Sequence, residues 1–321
     1  MAQYGMEKSP PLRGEVRVQR SKNAVLPMMA CAVLTREELE LTDVPRLTDV
    51  DGMAALLSGI GVQVSRARGG MRLCGENLDG CRAEGIFAER MRASVLLLGP
   101  LLVRVGRARL SFPGGCAIDS RPIDLHLKGL RALNVSVDEE HGEIQCNGPH
   151  TKGAEITLDY PSVGATENII MAAVTAEGKT VLHNAAREPE VSDLARFINQ
   201  MGGRIKGAGA GTIEIIGVKR LQGTRYKIMP DRIVAGTYLA AAAVTGGDVT
   251  LTGICPEHLQ AAASKLQETG CLIQFTEDTV RIQAPRHLGE MQKIETLPYP
   301  GFPTDLQAQF MAVACVCHGT C

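Results

Sequence analysis

Three basic residues lie where the sequence predicts the start of a helix or a loop. Lys22 and Arg92 each precede an alanine-rich apolar run, and Arg121 lies in a segment without helical or strand periodicity. The N-terminus of a helix has unpaired amides and the positive end of the helix dipole, so a nearby cation strengthens anion binding there. The positions therefore indicate a phosphate site, although most lone basic residues are only solvated surface charges.

A cysteine lies in the same kind of segment. Cys116 follows two glycines in a stretch without periodicity, which favours a loop. A loop thiol close to cationic groups can have a lowered pKa and act as a proton donor or a nucleophile. Cys116 is thus a candidate reactive thiol, and most of the other nine cysteines are expected to be reduced and buried.

The densest group of possible metal ligands is near the end of the sequence. It consists of Cys315, Cys317 and Cys321, with His318 among them. No second ligand group lies at the spacing of a zinc finger, so a small apolar helix face that uses cysteine is the favoured interpretation. We expect neither a metal site nor a cofactor.

Two aspartates also precede apolar runs. Asp231 and Thr304-Asp305 have the residue types that cap helices. For Asp231, a plain cap and a supporting role in the chemistry are equally open.

The elements that must position these residues recur at intervals of about 70 residues. A polar triplet before an apolar run begins at positions 22, 92, 165, 231 and 304, and a helix end followed by a turn and a strand recurs at positions 60, 133, 201 and 269. Two landmarks in step predict a repeat protein. Each repeat is predicted as helix, strand, helix and two strands, which gives an α/β fold with four complete repeats and the first helix of a fifth.

The composition is typical of a globular protein with two cores. The sequence has 321 residues, of which 45% are hydrophobic, and its formal net charge of -1 provides no basic field for a nucleic acid or an anionic membrane. The longest apolar stretch, Ala93 to Val103, is too short to span a bilayer, and Met1 to Pro10 lack the apolar run of a signal peptide. We expect a cytoplasmic protein without nucleic-acid or membrane partners.

Six strings taken together resemble a known family. They are Ser21-Lys22-Asn23-Ala24, Gly114-Gly115-Cys116-Ala117-Ile118, Arg121-Pro122-Ile123-Asp124-Leu125-His126, Pro161-Ser162-Val163-Gly164-Ala165-Thr166-Glu167-Asn168, Ala186-Arg187-Glu188-Pro189-Glu190 and Phe302-Pro303-Thr304-Asp305. The combination resembles the UDP-N-acetylglucosamine 1-carboxyvinyltransferases, the enolpyruvyl transferases of peptidoglycan synthesis. The resemblance extends over essentially the whole sequence.

The resemblance implies two domains, each an inside-out α/β barrel of three repeats with its helices inside. Residues 22–229 would form the first domain, and residues 1–21 with residues 230–321 would form the second. The family has a sixth repeat that this sequence lacks, so the second domain is expected to be incomplete. The expectation is a truncated or frameshifted product, or one that another chain completes.

The resemblance also implies a reaction and its residues. The enolpyruvyl group of phosphoenolpyruvate would be transferred to the 3-hydroxyl of UDP-N-acetylglucosamine with release of phosphate. The implied catalytic residues are Lys22, Cys116, Arg121 and Asp305, with Cys116 as the family's reactive cysteine and fosfomycin target and Asp305 as the base. The implied substrate-binding residues are Lys22, Asn23, Arg92, Arg121, Pro122, Ile123, Asp124, Leu125, Ser162, Val163, Gly164 and Asp305.

Two other functions stay open. The shikimate-pathway enolpyruvyl transferase uses the same donor and architecture, but the Gly-Gly-Cys and Arg-Pro-Ile-Asp strings favour a nucleotide-sugar acceptor. A non-catalytic protein would bind the nucleotide sugar without releasing phosphate from phosphoenolpyruvate.

Overall fold

The chain forms two compact units in the computed structural model. The model describes residues 5, 7, 9–67, 69–83, 91–111, 123–140 and 142–321. Residues Arg20–Met229 form the larger unit, and Met1–Gln19 with Pro230–Cys321 form the smaller unit. Each unit has its own hydrophobic core. Among the described residues, no helix combines the length and apolar character needed to cross a membrane.

The helices and strands follow one another in the order that the repeat predicts. Strand β1 (Arg13–Arg17) comes first and belongs to the smaller unit. The first repeat contains α1 (Lys22–Ala30), β2 (Glu38–Thr42), α2 (Thr48–Gly59), β3 (Gln63–Ala67), β4 (Gly70–Cys74) and the short β5 (Arg82–Ala83). The second contains a 3-10 helix (Arg92–Leu97), α3 (Leu98–Val105), β6 (Arg107–Ser111), α4 (Asp124–Ala132), β7 (Ser136–Glu140), β8 (Glu143–Asn147) and β9 (Glu155–Thr157).

The later repeats have the same plan. The third contains α5 (Val163–Ala173), β10 (Lys179–His183), α6 (Pro189–Gln200), β11 (Ile205–Lys206), β12 (Thr212–Ile216) and β13 (Thr224–Lys227). The fourth contains α7 (Arg232–Thr245), β14 (Asp248–Thr252), a 3-10 helix (Pro256–Leu259), α8 (Gln260–Glu268), β15 (Leu272–Phe275) and β16 (Thr279–Gln283). A 3-10 turn (Thr304–Leu306) and α9 (Gln307–Ala314) follow.

Four sheets share one strand order. The orders are β13-β2-β4-β3, β5-β6-β8-β7, β9-β10-β12-β11 and β1-β14-β16-β15. In every sheet the three strands of one repeat are antiparallel, and a strand from outside that repeat pairs in parallel with the first of them. These added strands are β1, β5, β9 and β13, and the predicted repeat pattern did not include them.

One face of each sheet is buried, as period-two alternation requires. In β2, Leu39 and Leu41 are fully buried, and Met71 and Leu73 in β4 face the same core. Two first helices of the larger unit are buried almost all round: α1 is buried from Ala24 to Ala30, and α5 is buried from Ala165 to Ala173. The corresponding helices of the smaller unit, α7 and α9, bury one side only. The prediction of small apolar residues for a buried helix is thus confirmed for α1 and α5.

The turn after each outer helix has a left-handed backbone. Gly61, Asn134, Gly202 and Gly270 have φ values of 94°, 68°, 99° and 89°. Glycine and asparagine tolerate this region, so they end the helix and direct the chain into the next strand. The second repeating landmark of the sequence is therefore a left-handed helix stop.

Candidate active site

Lys22 and Asn23 lie at the start of α1. Ser21 caps this helix, because its Oγ accepts a hydrogen bond from Ala24 N at 3.3 Å. Lys22 is partly buried and Asn23 is exposed, whereas the helix is buried from Ala24 onwards. The two polar side chains therefore lie in the first turn of a helix, where backbone amides are available. This arrangement is suited to anion binding.

An acidic residue holds the Lys22 side chain. Lys22 Nζ lies 3.1 Å from Asp49 Oδ2, and Asp49 is in the first turn of α2. Both side chains are about two-fifths exposed, at 44% and 41%. A pair this exposed contributes only about 0–1 kcal/mol to stability, so its main effect is to orient the ammonium group.

Arg92 begins the 3-10 helix that leads into α3. Its side chain is partly buried, and the 3-10 helix packs against α1 and α5. Ile123 is buried just before α4, Asp124 is exposed and Leu125 is partly buried. These predicted residues are thus placed at the starts of two helical segments of one repeat.

A buried asparagine joins the segments that carry the predicted residues. Asn168, on α5, is fully buried. Its Nδ2 donates to Val95 O at 3.0 Å and lies 3.1 Å from His126 Nδ1, while its Oδ1 accepts from Gly99 N at 2.8 Å. Both amide protons and the carbonyl oxygen are used, so the side chain fixes α3, α4 and α5 relative to one another.

The same contacts determine the state of His126. Because Asn168 Nδ2 can only donate, His126 Nδ1 accepts, and the ring proton is on Nε2. Burial lowers the pKa of His126 to about 3, and the Arg92 guanidinium contributes to this shift. His126 is therefore a neutral imidazole at physiological pH, close enough to Arg92 for its charge to matter.

Ser162, Val163 and Gly164 lie at the start of α5. Ser162 Oγ accepts from Ala165 N at 3.4 Å, as in a capped helix. A side chain at position 164 would place its Cβ 3.2 Å from His126 Cε1 and 3.3 Å from Nε2. Glycine at this position allows the start of α5 to pack directly against the imidazole.

Glu167, next to Asn168 on α5, carries a suppressed charge. It is 3% exposed, and no described residue donates a hydrogen bond to its Oε1. Burial raises the pKa of Glu167 well above its ordinary value, and the carboxylates of Glu190 and Glu188 raise it further. The protonated form is favoured, so this carboxyl adds little negative charge to the anion-binding residues of the larger unit.

The two aspartates of the smaller unit differ in role. Asp231 caps α7, because its Oδ1 accepts from Ile233 N at 2.9 Å and from Val234 N at 3.1 Å. The cap interpretation of Asp231 is therefore confirmed. Asp305 is exposed, and Pro303 occupies the N-cap position of its turn without a side-chain capping bond. Asp305 nevertheless lies in the first turn, where an acidic side chain favours the helix dipole, so its interpretation as a helix N-terminal residue stays open beside that of a base.

Three predicted site residues, Cys116, Arg121 and Pro122, lie outside the described residues. Their assigned roles stay predictions.

A sequence profile of the family described as EPSP synthase (3-phosphoshikimate 1-carboxyvinyltransferase) matches residues 6–321. The chain belongs to the EPSP synthase family. Three relatives that are 46–48% identical to the chain share one enzyme name. UDP-N-acetylglucosamine 1-carboxyvinyltransferase 1 of Symbiobacterium thermophilum is 48% identical over 96% of this chain and 71% of its own length.

Two further relatives agree with it. The UDP-N-acetylglucosamine 1-carboxyvinyltransferase of Trichlorobacter lovleyi is 48% identical over 96% of this chain and 74% of its own length. The second such enzyme of Caldanaerobacter subterraneus is 46% identical over 100% of this chain and 77% of its own length.

Two solved structures have the same fold. The enolpyruvyl transferase NikO from Streptomyces tendae matches with a TM-score of 0.83 over 97% of this chain and 74% of its own, at 18% identity. EPSP synthase from Acinetobacter baumannii matches with a TM-score of 0.72 over 96% of this chain and 73% of its own, at 19% identity. At this identity the likeness concerns the fold alone, and it confirms the predicted α/β class. Barrel closure stays a prediction.

Three residues around the predicted family site were not singled out from the sequence. His126 and Asn168 fall inside the recognised strings, but no role was assigned to them. A sign was present for Asn168: an amide directly before the apolar run Ile169-Ile170-Met171 must find hydrogen-bond partners once it is buried. Asp49 gave no such sign, because its pairing with Lys22 depends on how α1 and α2 pack.

Proposed function

We propose that this protein transfers the enolpyruvyl group of phosphoenolpyruvate to the 3-hydroxyl of UDP-N-acetylglucosamine and releases phosphate. The observation that carries the proposal is the shared name of relatives that are 46–48% identical over 96–100% of the chain. The reaction would be the first committed step of peptidoglycan synthesis. It belongs in the cytoplasm, where phosphoenolpyruvate and nucleotide sugars are intermediates.

The reaction requires an addition and an elimination. In the addition, the methylene carbon of phosphoenolpyruvate takes up a proton, and the sugar oxygen bonds to C2 while its own proton passes to a base. The product is a tetrahedral ketal that still carries the phosphate. In the elimination, the new methyl group loses a proton and the bond from C2 to the phosphate oxygen breaks, which yields the enolpyruvyl ether and inorganic phosphate. Both steps need positioned acids, bases and cations.

The donor substrate carries a carboxylate and a phosphate, so it calls for cations. We assign Lys22 and Arg121 to this role, Cys116 to proton donation or to product release, and Asp305 to the base. The Lys22 assignment is supported by its place at the start of α1 and by its ion pair with Asp49, which limits the freedom of the ammonium group. Asp305 is exposed, as a base that meets a substrate hydroxyl must be before binding.

The acceptor substrate carries a uridine diphosphate and a sugar. We assign Arg92 and the segment Arg121–Leu125 to the nucleotide, and Asn23 with Ser162–Gly164 to the sugar and diphosphate. The segments that begin at Arg92, Ile123 and Ser162 are joined through Asn168 and His126. The capped start of α5 also offers amides for a diphosphate.

Phosphate release from phosphoenolpyruvate tests the proposal directly. Release with UDP-N-acetylglucosamine, and none with 3-phosphoshikimate, is the expected result. Lys22→Gln should reduce the rate about a hundredfold, because it removes a cation aimed at developing charge. Lys206→Gln, at an exposed lysine of β11, is the matched control and should keep the rate. Release with 3-phosphoshikimate alone would overturn the proposal, and UDP-N-acetylglucosamine binding without phosphate release would indicate a binding protein.

A further inference from the structure

Three side chains of the smaller unit bring metal-binding atoms together. They are Cys255, Glu257 and His258, and the sulfur, one carboxylate oxygen and one ring nitrogen all lie within 4.8 Å of one another. Within the described part of the chain, no other group of three such side chains has this spacing. Ligand atoms around a tetrahedral ion are about 3–4 Å apart, given metal–ligand distances of about 2.0–2.3 Å. Small rotamer changes would therefore close the site.

The local backbone explains the grouping. Cys255 is the N-cap residue of the 3-10 helix Pro256–Leu259, and His258 N donates to Cys255 O at 3.1 Å. This hydrogen bond closes a turn of three residues, which brings Cys255 and His258 together although Cys255 itself has an extended backbone. Glu257, between them in sequence, has a side chain long enough to bring its carboxylate to the pair.

The turn that carries the three ligands is held firmly at both ends. Ile254 and Leu259 are buried in the core at 5% and 2% exposure, and Ile254 N donates to Asp278 O at 3.0 Å. Pro256 at the first helical position fixes its own φ. Little entropy would be lost on binding, because the backbone is ordered before an ion arrives.

The donor types select the ion. Magnesium and calcium prefer oxygen ligands, whereas a thiolate with an imidazole and a carboxylate suits zinc and its neighbours. The thiolate and the carboxylate together carry two negative charges, which balance a divalent cation. We infer that Cys255, Glu257 and His258 form a binding site for a zinc-type divalent cation.

The surroundings allow an ion to enter and water to complete its coordination. Glu257 is exposed, and Cys255 and His258 are partly buried. Glu257 and His258 also line a cavity of about 40 Å³ with Arg232 and Tyr299, and the Arg232 guanidinium lies 5.8 Å from the centre of the Tyr299 ring. Arg232 opposes a cation electrostatically, but the Asp231 carboxylate lines the adjoining cavity with Cys255 and offsets it.

Cobalt(II) is a suitable probe, because a thiolate bound to it produces a charge-transfer absorption that oxygen and nitrogen ligands do not. The reduced, full-length protein is titrated with cobalt(II) alone, and zinc(II) is then added to displace it. We expect one equivalent to bind with the charge-transfer band, and zinc to abolish the band. Cys255→Ser should remove the band, and His258→Gln should weaken cobalt binding about tenfold or more.

Cys315→Ser is the matched control, since Cys315 is an exposed thiol of the same unit. It should keep both the band and the affinity, and circular dichroism should give the same folded signal for all variants. The inference is overturned if Cys255→Ser keeps the band, if Cys315→Ser loses it, or if the unsubstituted protein gives no thiolate band.

Discussion

The two units share a strand order but differ in what they bury. Where the larger unit is described, ten polar or charged residues are buried: Ser21, Thr35, Ser94, His126, Thr166, Glu167, Asn168, Thr180, Glu190 and Asp193. Among the described residues of the smaller unit, only Asp231 and Thr269 belong to this class. Its core is centred instead on apolar contacts such as Phe302 with Phe310, whose ring centres are 4.8 Å apart.

The difference shows that one repeat can serve two purposes. An apolar interior stabilises the fold without fixing each helix precisely in register, because dispersion and burial are not directional. A buried amide such as Asn168 must instead meet its partners at hydrogen-bond distance, or it costs about 1–3 kcal/mol for each unmet group. In the larger unit, directional hydrogen bonds therefore fix the positions of helix starts in addition to packing. The helix starts of this unit carry Lys22, Arg92 and Ser162.

The largest effect is expected in the apolar core of the smaller unit. Phe310→Ala removes a fully buried ring and its edge-to-face contact with Phe302. Such substitutions cost about 4 kcal/mol. Hydrogen exchange should report a loss of this size in the opening free energy of α7 and β14, while α1 and α5 of the larger unit keep their protection.

Met311→Ala is the control for Phe310→Ala, since Met311 is adjacent and 61% exposed. It should leave exchange in both units within about 0.5 kcal/mol. An equal loss of protection for the two variants would contradict the description of α9 as buried through Phe310.

A slightly smaller effect is expected from the polar interior of the larger unit. Asn168→Ala leaves Gly99 N without its acceptor and removes the donors to Val95 O and His126 Nδ1. The expected cost is about 3 kcal/mol. Nitrogen NMR of His126 should also change, because Asn168 no longer donates to Nδ1 and the single Nε2-protonated tautomer is lost.

Asn147→Ala provides the comparison for Asn168→Ala. Asn147 is exposed on β8, and its backbone oxygen accepts the bond from Ser136, so the substitution spares that contact. Stability and the His126 signals should be unchanged. A His126 spectrum that is the same in Asn168→Ala and in the unsubstituted protein would refute the proposed tautomer lock.

The sequence predicted the repeat and its elements better than it predicted the contacts between them. Apolar periodicity and the glycine stops located the helices and strands, since both are local properties. The added strands β5, β9 and β13 are short, and their partners are in another repeat, so no local pattern identifies them. A further repeated feature also escaped notice: Asp43, Asn184 and Gly253 follow the first strand of three repeats with φ values of 59°, 51° and 67°.

The candidate site divides in the same way. Residue strings indicated Lys22, Arg92 and Ser162–Gly164, because helix starts and glycines are visible in a sequence. They could not indicate that Asp49 pairs with Lys22 or that His126 is neutral, since both depend on packing between distant segments.

A moderate effect is expected at the helix cap of the smaller unit. Asp231→Ala removes the acceptor for Ile233 N and Val234 N and should cost about 1 kcal/mol. Asp231→Asn keeps an acceptor oxygen and should recover most of that loss. Urea unfolding followed by circular dichroism measures both. If the asparagine variant is as unstable as the alanine variant, the contribution of Asp231 comes from its charge and not from capping.

At low pH the smallest effect is expected at Glu167, and this effect grows as the pH rises. The folded pKa of this carboxyl is raised, because burial and the carboxylates of Glu190 and Glu188 disfavour its ionised form. In the unfolded chain the pKa of a glutamate carboxyl is about 4.3. Between these two pKa values the folded state holds a proton that the unfolded state has released. Linkage then requires the protonated Glu167 carboxyl to contribute fully to the free energy of unfolding below about pH 4.3. This contribution is lost as the pH rises through the folded pKa.

Glu167→Gln should therefore distinguish the effect of the Glu167 charge on stability from the effect of its side-chain shape. The glutamine amide has the shape of a protonated carboxyl but does not ionise, so at pH 4 the two proteins should differ by less than about 1 kcal/mol. As the pH rises above about 4.3 towards the folded pKa, the variant should become progressively more stable than the unsubstituted protein, as urea unfolding at a series of pH values would measure. Glu177→Gln, at an exposed carboxylate of the same unit, should leave the pH dependence unchanged. A difference between Glu167→Gln and the unsubstituted protein that stays constant from pH 4 to pH 8 would mean that Glu167 ionises alike in the folded and unfolded states, and the buried polar interior would then be distinguished from the apolar one by hydrogen bonds alone.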